Sequence, residues 1–193
     1  MRYAKGHKDA THQQILDVAS RRFRREGIDA VGVASLMADA GLTHGGFYSH
    51  FSSKEELARD AVAFALDRGR EEMARAAGRA PGGFEAIVRN YLDPRHRDRP
   101  DRGCALAAVG SELSRHPAQT RAAIAERIEA TIDLMASHLP SLNADRNRSR
   151  AAVIFGLMVG ALQLARLTQD SARSDRILAD AAEAAISMGR EAY

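Results

Sequence analysis

Short polar side chains and small residues cluster just after a glycine turn near the N-terminus. Thr43 can cap a short helix that follows Gly41, and the first N–H groups of such a helix have no partner within the helix. These groups and the helix dipole favour an anion such as phosphate, to which hydroxyl, imidazole and ammonium groups would add hydrogen bonds. The candidate residues for this chemistry are Thr43, His44, Gly45, Gly46, Tyr48, Ser49, His50 and Lys54.

Two short helices must position these residues. Residues 33–40 have apolar positions at helical spacing, and Gly41 ends that helix. The second helix covers residues 44–50, and Phe47 and Phe51 lie four apart, so both side chains point inward. Two short helices joined by a tight turn have the proportions of a helix-turn-helix, in which the second helix lies in the major groove of DNA.

Longer helices flank this pair. Thr11 and Gln14 have the spacing of a capping box that would open a first helix, and Gly27 would end it in a left-handed conformation. Ser53 and Glu56 have the same capping-box spacing. We therefore expect a long fourth helix to begin directly after the candidate residues.

The N-terminal sequence resembles the TetR/AcrR family of transcriptional regulators. The run from Gly41 to Leu57, GLTHGGFYSHFSSKEEL, is similar to that family's recognition helix and the start of its fourth helix. Residues 15–19, ILDVA, and residues 23–27, FRREG, resemble its first helix. The specific resemblance covers residues 11–57, and the remainder agrees in length and helical content.

The resemblance implies an all-α protein of about nine helices, with a DNA-binding helix-turn-helix domain in residues 1–54 and a helical ligand-binding and dimerisation domain in residues 55–193. It implies a regulator that binds double-stranded operator DNA, most simply a homodimeric repressor of a palindrome that a small-molecule inducer releases. Lys54 resembles the family's phosphate-binding lysine. Gly46 and Ser49 depart from the family pattern, since many relatives have a hydroxyl residue at the first position and an aromatic or basic one at the second.

The rest of the chain has helical periodicity, and no segment alternates with the period of a strand over a useful length. Residues 93–103 are charged and contain two prolines, which predicts a solvated connection. The expected helices after the fourth cover residues 84–92, 104–115, 118–139, 145–168 and 171–189.

The last two predicted helices have features of a helix-pair surface. Gly156 and Gly160 lie in an almost wholly apolar run, and this spacing lets another helix approach closely. Small residues such as Ala181 and Ala185 recur in the last helix. The resemblance implies that these helices form a four-helix dimer bundle. A simply buried central helix is the alternative.

Apolar residues of the middle helices form a core in which, by resemblance, an inducer would lie. Candidate ligand-binding residues are Phe84, Val88, Tyr91, Leu106, Leu113, Ile132, Met135, Phe155, Met158 and Gln163. Cys104 suggests a second hypothesis, a redox sensor, against the simpler interpretation of an inert buried cysteine. A helical protein that acts through protein partners is a further alternative.

The composition argues against other classes of protein. A single cysteine cannot form an internal disulfide, and the first twenty residues carry no apolar run typical of a secretory signal. The longest apolar stretch, residues 151–162, falls short of the ~20 residues that cross a bilayer. We therefore expect a cytoplasmic protein with no membrane partner.

Enzymatic and metal sites find no support either. The chain has no glycine-rich phosphate loop, no nucleophile elbow and no HExxH motif. We therefore expect neither an enzymatic activity nor a bound cofactor. Glu112 and His116 share a helical face, but no second carboxylate or histidine has matching spacing, so we expect a surface pair and no metal site. Residues 1–54 hold eight Lys or Arg against five Asp or Glu, which favours an anionic partner for that module.

Overall fold

The computed structural model describes residues 5–79, 82–140 and 143–190. Every regular element in these ranges is helical, which confirms the all-α fold. The His44–Ser49 segment, here named the recognition segment, and Pro100–Arg102 are 3-10 helices. The α-helices are α1 (Lys5–Glu26), α2 (Val33–Asp39), α3 (Lys54–Gly78), α4 (Gly83–Tyr91), α5 (Pro94–Arg97), α6 (Ala105–Leu113), α7 (Ala118–Ala136), α8 (Ala144–Leu167) and α9 (Ser171–Arg190).

The first helix begins earlier than its capping pattern predicts. α1 includes Thr11, whose hydroxyl donates to the carbonyl of His7 one turn earlier. A threonine inside a helix commonly satisfies its hydroxyl in this way, so the expected capping box at this position is wrong. Gly27 ends the helix as predicted, with a φ of +87°.

The helix-turn-helix packs around one apolar core. Gly41 makes the turn after α2 with a φ of +69°, a conformation that favours glycine. Phe47 and Phe51 are 1% and 2% exposed, and their rings stack with centroids 5.7 Å apart. The inward direction predicted for both phenylalanines is confirmed.

Helix α3 belongs to two cores at once. Its first half, from Leu57 to Leu66, packs with the helix-turn-helix, while Met73 and Ala77 pack with α4 and α7 to α9. The first core also includes Val109 and Leu113 of α6, which are 2% and 4% exposed. The helix-turn-helix is therefore completed by residues from the C-terminal part of the chain.

Helix α8 meets the length and composition of a membrane span, the only helix to do so among the residues described here. Its most apolar 18-residue window has a mean hydropathy of 1.5. However, Ile154, Met158 and Leu162 are fully buried against the other helices of the second core. A core helix of a helical bundle can have the same composition, and α8 contributes one face to the second core.

Candidate nucleic-acid interface and ligand cavity

The recognition segment presents most of its predicted polar residues to solvent. Phe47 anchors it in the first core, and this leaves Thr43, His44, Gly45, Tyr48 and Ser49 exposed. Tyr48 is 67% exposed, and its ring meets His44 edge-on with centroids 6.0 Å apart. An aromatic ring exposed to this degree, beside free helix N–H groups, provides both an apolar surface and a hydroxyl donor for a docking partner.

Two of the predicted contact residues turn partly inward. A Cβ built on Gly46 would lie 3.8 Å from the Met37 side chain, so this glycine faces α2. His50 is half-buried with its ring 6.0 Å from that of His12, and burial, together with the nearby charges of His12 and Lys8, lowers its pKa. The lowered pKa favours the uncharged form of His50, and its ring lies beside α1 instead of facing fully outward.

Lys54 begins α3, directly beyond the recognition segment. The hydroxyl of Ser53 caps this helix by accepting a hydrogen bond from the Glu56 amide at 3.1 Å, as its spacing predicted. The ammonium group of Lys54 donates to the carbonyl of Asp29 at 3.1 Å. This bond holds the lysine beside the turn between α1 and α2, on the surface that carries the recognition segment.

Polar contacts from α6 hold that same turn. The Glu112 carboxylate accepts hydrogen bonds from the backbone amides of Ile28 at 3.1 Å and Asp29 at 2.8 Å. Nearby, the guanidinium of Arg24 donates to the carbonyl of Gly103 at 2.8 Å. A carboxylate that accepts two backbone N–H bonds is strongly positioned, so the C-terminal part fixes where α1 ends and α2 begins.

A third contact reaches the start of α3. His116 and Thr120 both hydrogen-bond the carboxylate of Glu55, with His116 Nδ1 3.0 Å from Oε2. Burial acts to raise the pKa of Glu55, but the bonds from Thr120 and His116 outweigh it and lower that pKa. The surface pair expected between Glu112 and His116 is thus wrong, because each residue is committed to a different part of the N-terminal module.

A cavity of about 500 Å³ lies where α3, α4 and α6 meet the segment between α4 and α6. Of the predicted ligand-binding residues only Tyr91 and Phe155 line it. Phe84, Val88, Ile132, Met135 and Met158 pack instead in the second core. These residues fill space between helices, and apolarity alone did not distinguish such core residues from those that line the cavity.

The remaining predicted ligand residues lie elsewhere. Leu113 belongs to the first core, on the side of α6 that faces the helix-turn-helix. Leu106 is half-buried and packs against both cores, and the Gln163 amide donates to the carbonyl of Ala107 at 3.4 Å. None of the three lines the cavity.

The charged segment 93–103 is partly exposed, as a solvated connection would be, but it also contributes to the cavity wall. His96 Nε2 accepts from the Cys104 amide at 2.8 Å, and Nδ1 therefore carries the proton that bonds the Tyr91 carbonyl at 2.6 Å. Burial lowers the pKa of His96, which favours this neutral form. Arg166 of α8 donates to the carbonyls of His96 and Arg97, both at 3.2 Å.

Cys104 lies directly before α6 and is half-buried on the cavity wall. It is the single cysteine of the chain, and its amide is occupied by His96. Within the described ranges, no three His, Cys, Asp or Glu side chains are grouped so as to hold a metal ion.

An apolar stripe runs along the outside of α8. Of the four exposed large hydrophobic residues in the described chain, Tyr48 lies in the recognition segment, and Val153, Leu164 and Leu167 lie on α8. Gly156 and Gly160 lie between these three and have open space where a Cβ would point. On α9, Ala181 is half-exposed, whereas Ala185 is fully buried inside the protomer and cannot face outward as expected.

Comparison with known proteins agrees with this architecture. Residues 15–61 match the family model described as bacterial regulatory proteins, tetR family. Residues 83–181, just over half of the chain, match the tetracyclin repressor-like C-terminal domain. The chain belongs to the TetR family.

Related proteins extend the comparison. The uncharacterized HTH-type transcriptional regulator YfiR of Bacillus subtilis is 31% identical over 108 residues, 56% of this chain and 52% of YfiR. This match thus spans about half the length of YfiR. TtgR of Pseudomonas putida is 32% identical over 77 residues, 40% of this chain and 36% of TtgR. Among solved structures, a TetR-family regulator from Cytophaga hutchinsonii is 18% identical, with a TM-score of 0.79 and full coverage of both chains.

The Glu112 contact predicts a measurable contribution to stability. Glu112→Ala leaves the Ile28 and Asp29 amides without their acceptor, so we expect the free energy of unfolding in urea to fall by about 1–3 kcal/mol. Glu112→Gln keeps one oxygen and should lose less. The control is Glu71→Ala, because Glu71 forms an exposed pair with Arg75 at 3.7 Å and should contribute at most about 0.5 kcal/mol. Equal losses in Glu112→Ala and Glu71→Ala would contradict the role of this contact.

Proposed function

We propose that this protein is a homodimeric transcriptional repressor, which binds a palindromic operator through its helix-turn-helix and releases it when a small molecule occupies the cavity. The observation that carries the proposal is the exposed face of the recognition segment, where Tyr48 projects from a short helix that Phe47 anchors in the core. Membership of a family of regulatory proteins supports the same conclusion.

The proposed DNA contacts divide into two kinds. Thr43, Gly45 and Lys54 would bind phosphate and position the protein, because backbone N–H groups and an ammonium carry no sequence information. His44, Tyr48 and Ser49 project from the recognition segment and would reach base edges or the groove wall. The partly inward Gly46 and His50 would support this surface, with His50 limited to the side of its ring that faces away from α1.

Selection of bound sequences from a random DNA pool tests the proposed function directly. The proposal expects one palindromic consensus whose half-sites are about one helical turn apart, since each protomer of a two-fold dimer reads one half-site. The purified protein should then prefer that sequence over scrambled DNA by a factor of about 10³ or more at physiological salt. Failure to enrich any sequence, with retained salt-sensitive binding to all DNA, would indicate a non-specific binder.

The proposed dimer interface follows the apolar stripe of α8. Val153, Leu164 and Leu167 are 60%, 59% and 81% exposed, which is unusual for large apolar side chains on one helix face. The open sides of Gly156 and Gly160 allow a partner helix to approach this face closely. Ala181 of α9 would extend the interface, and Ala185 would support it from inside the protomer.

The cavity can influence the DNA-binding surface through two routes. Leu66, Gly69 and Met73 of α3 line it, and α3 is continuous with the helix start that carries Lys54. Gly103 also lines it, and its carbonyl is the acceptor for Arg24 of α1. A ligand that displaces either wall would move α1 and α3 relative to each other, which would change the separation of the two recognition segments in a dimer.

Tyr48 offers the sharpest test of the DNA contact. Tyr48→Phe should weaken operator binding by about 0.5–1.5 kcal/mol through loss of one hydrogen bond, and Tyr48→Ala should lose appreciably more. Because the side chain is 67% exposed, the melting temperatures should stay close to that of the unchanged protein. Labelled-operator titration and thermal unfolding measure both quantities, with the exposed His138→Ala as control. A stable Tyr48→Ala protein with full operator affinity would exclude Tyr48 from recognition.

The glycine face of α8 predicts a change in assembly. Gly160→Leu should shift the dimer to monomers in sedimentation velocity, because a leucine side chain occupies the space that the partner helix needs. Gly110→Leu places the same substitution on α6, where a Cβ would meet only Leu106 at 3.9 Å, and should leave the dimer intact. A Gly160→Leu protein that sediments as the unchanged dimer would place Gly160 outside the interface.

A further inference from the structure

Positive charge dominates the cavity. Five arginines line it against two carboxylates, those of Glu72 and Asp93. The two oxygens of Asp93 already accept hydrogen bonds from Nε and Nη2 of Arg95, at 2.9 and 2.8 Å. Glu72 is exposed to solvent. Asp93 thus pairs with Arg95, and among the lining residues Arg70, Arg79, Arg99 and Arg102 face the single remaining carboxylate of Glu72.

Most of these arginines have weak partners or none. Among the described residues, Arg79 and Arg99 form no ion pair. Arg102 approaches Asp101 only at 3.9 Å, and Arg70 donates to Asp67 at a long 3.4 Å. A cluster of cations around a concave space raises the local concentration of anions.

Two buried donors in the same cavity lack a strong acceptor. The hydroxyl of Tyr91 and the Nε of Arg70 are buried and have no hydrogen bond of good geometry among the described residues. The Cys104 thiol interacts with the Tyr91 hydroxyl, but a thiol is a weak hydrogen-bonding group. Tyr91 as a whole is 4% exposed, and burial raises its pKa well above the ordinary value, so the phenol keeps its proton. An unpaired buried donor costs about 1–3 kcal/mol, so both groups are poised for a ligand that brings acceptor oxygens.

Part of the cavity wall is apolar. Leu66, Met73 and Phe155 are 5–7% exposed and line it together with two alanines. This wall would bury a hydrocarbon or aromatic body, at about 25 cal/mol per Å² of apolar surface removed from water. The space thus combines an apolar wall with a cationic rim and two unpaired donors.

We propose that the cavity binds an organic carboxylate, with its apolar body against Leu66, Met73 and Phe155 and its carboxylate oxygens accepting from Arg70 and Tyr91. The inference rests on the proposed role of the cavity as the regulatory ligand site, and it names the chemical class of that ligand. A carboxylate fits because an arginine N–H and a phenol hydroxyl both donate to it, and such charge-assisted bonds are short and strong.

Calorimetric titration of the DNA-free full chain with matched probes tests the class of ligand. The first set is octanoate, 1-octanol and octylammonium, which share one alkyl chain and differ in head-group charge. The second pair is 2-naphthoate and its uncharged amide. The proposal expects saturable binding of at least one carboxylate, at least about tenfold tighter than its neutral counterpart, and the weakest binding for octylammonium. Equal or tighter binding of the neutral or cationic probes, or binding of neither carboxylate, would overturn it.

Variants then test the assigned residues with whichever carboxylate binds. Arg70→Met should raise its Kd by about tenfold or more, and Tyr91→Phe by about two- to tenfold. The control is Arg75→Met, an arginine of α3 that does not line the cavity, and its Kd should stay within about twofold. Tyr91→Phe removes a hydroxyl whose interaction with the Cys104 thiol is weak, so its melting temperature should change little, which separates ligand contact from structural damage. Equal affinities in Arg70→Met and Arg75→Met would refute the assignment.

These titrations contain no DNA, so their outcome is independent of operator binding. A protein that enriches a palindrome but binds no carboxylate would retain the proposed regulator and lose this ligand class. A protein that binds carboxylates through Arg70 and Tyr91 but enriches no sequence would retain the site and lose the proposed operator function.

Discussion

The structure depends on one shared element, the 25-residue helix α3. Its first half completes the core of the helix-turn-helix, and its second half forms a wall of the cavity and part of the second core. A helix is stiff over this length because each turn is hydrogen-bonded to the next. A movement at the cavity end would therefore be passed on to Lys54 and the recognition segment that precedes it, because α3 connects the helix-turn-helix to the C-terminal part.

Polar contacts reinforce the same connection at three places. Arg24 holds Gly103, Glu112 holds the turn after α1, and Glu55 receives His116 and Thr120. Each contact joins a charged side chain to the opposite part of the molecule, and each has well-defined hydrogen-bond geometry. Hydrophobic packing alone tolerates small sliding movements, whereas charged groups with fixed partners favour a small number of discrete arrangements.

The sequence predicted what local periodicity and capping determine. Spacing along the chain was enough to predict the all-α fold, the inward direction of Phe47 and Phe51, the cap at Ser53 and the glycine turns. The sequence did not predict the long-range contacts. No local pattern pairs Glu112 with residues 28 and 29, because they lie more than eighty positions away. An apolar residue type does not show whether the side chain fills a core or lines a cavity. Eight of the ten predicted ligand residues therefore do not line the cavity. Three arginines of the charged run, Arg95, Arg99 and Arg102, line the cavity, and only the fold brings them together around one space.

Native-state hydrogen exchange of Leu113→Ala tests the shared core most directly. Leu113 lies on α6, outside the helix-turn-helix, but its side chain is only 4% exposed and packs in the core of the helix-turn-helix. The amides of Leu36 and Leu42 donate to the carbonyls of Gly32 and Met37. In Leu113→Ala we expect these two amides to lose about 2–4 kcal/mol of protection against exchange, as the amides of α6 do. Unchanged protection at Leu36 and Leu42, with a loss confined to α6, would contradict this expectation, because the helix-turn-helix would then be stable without the C-terminal part.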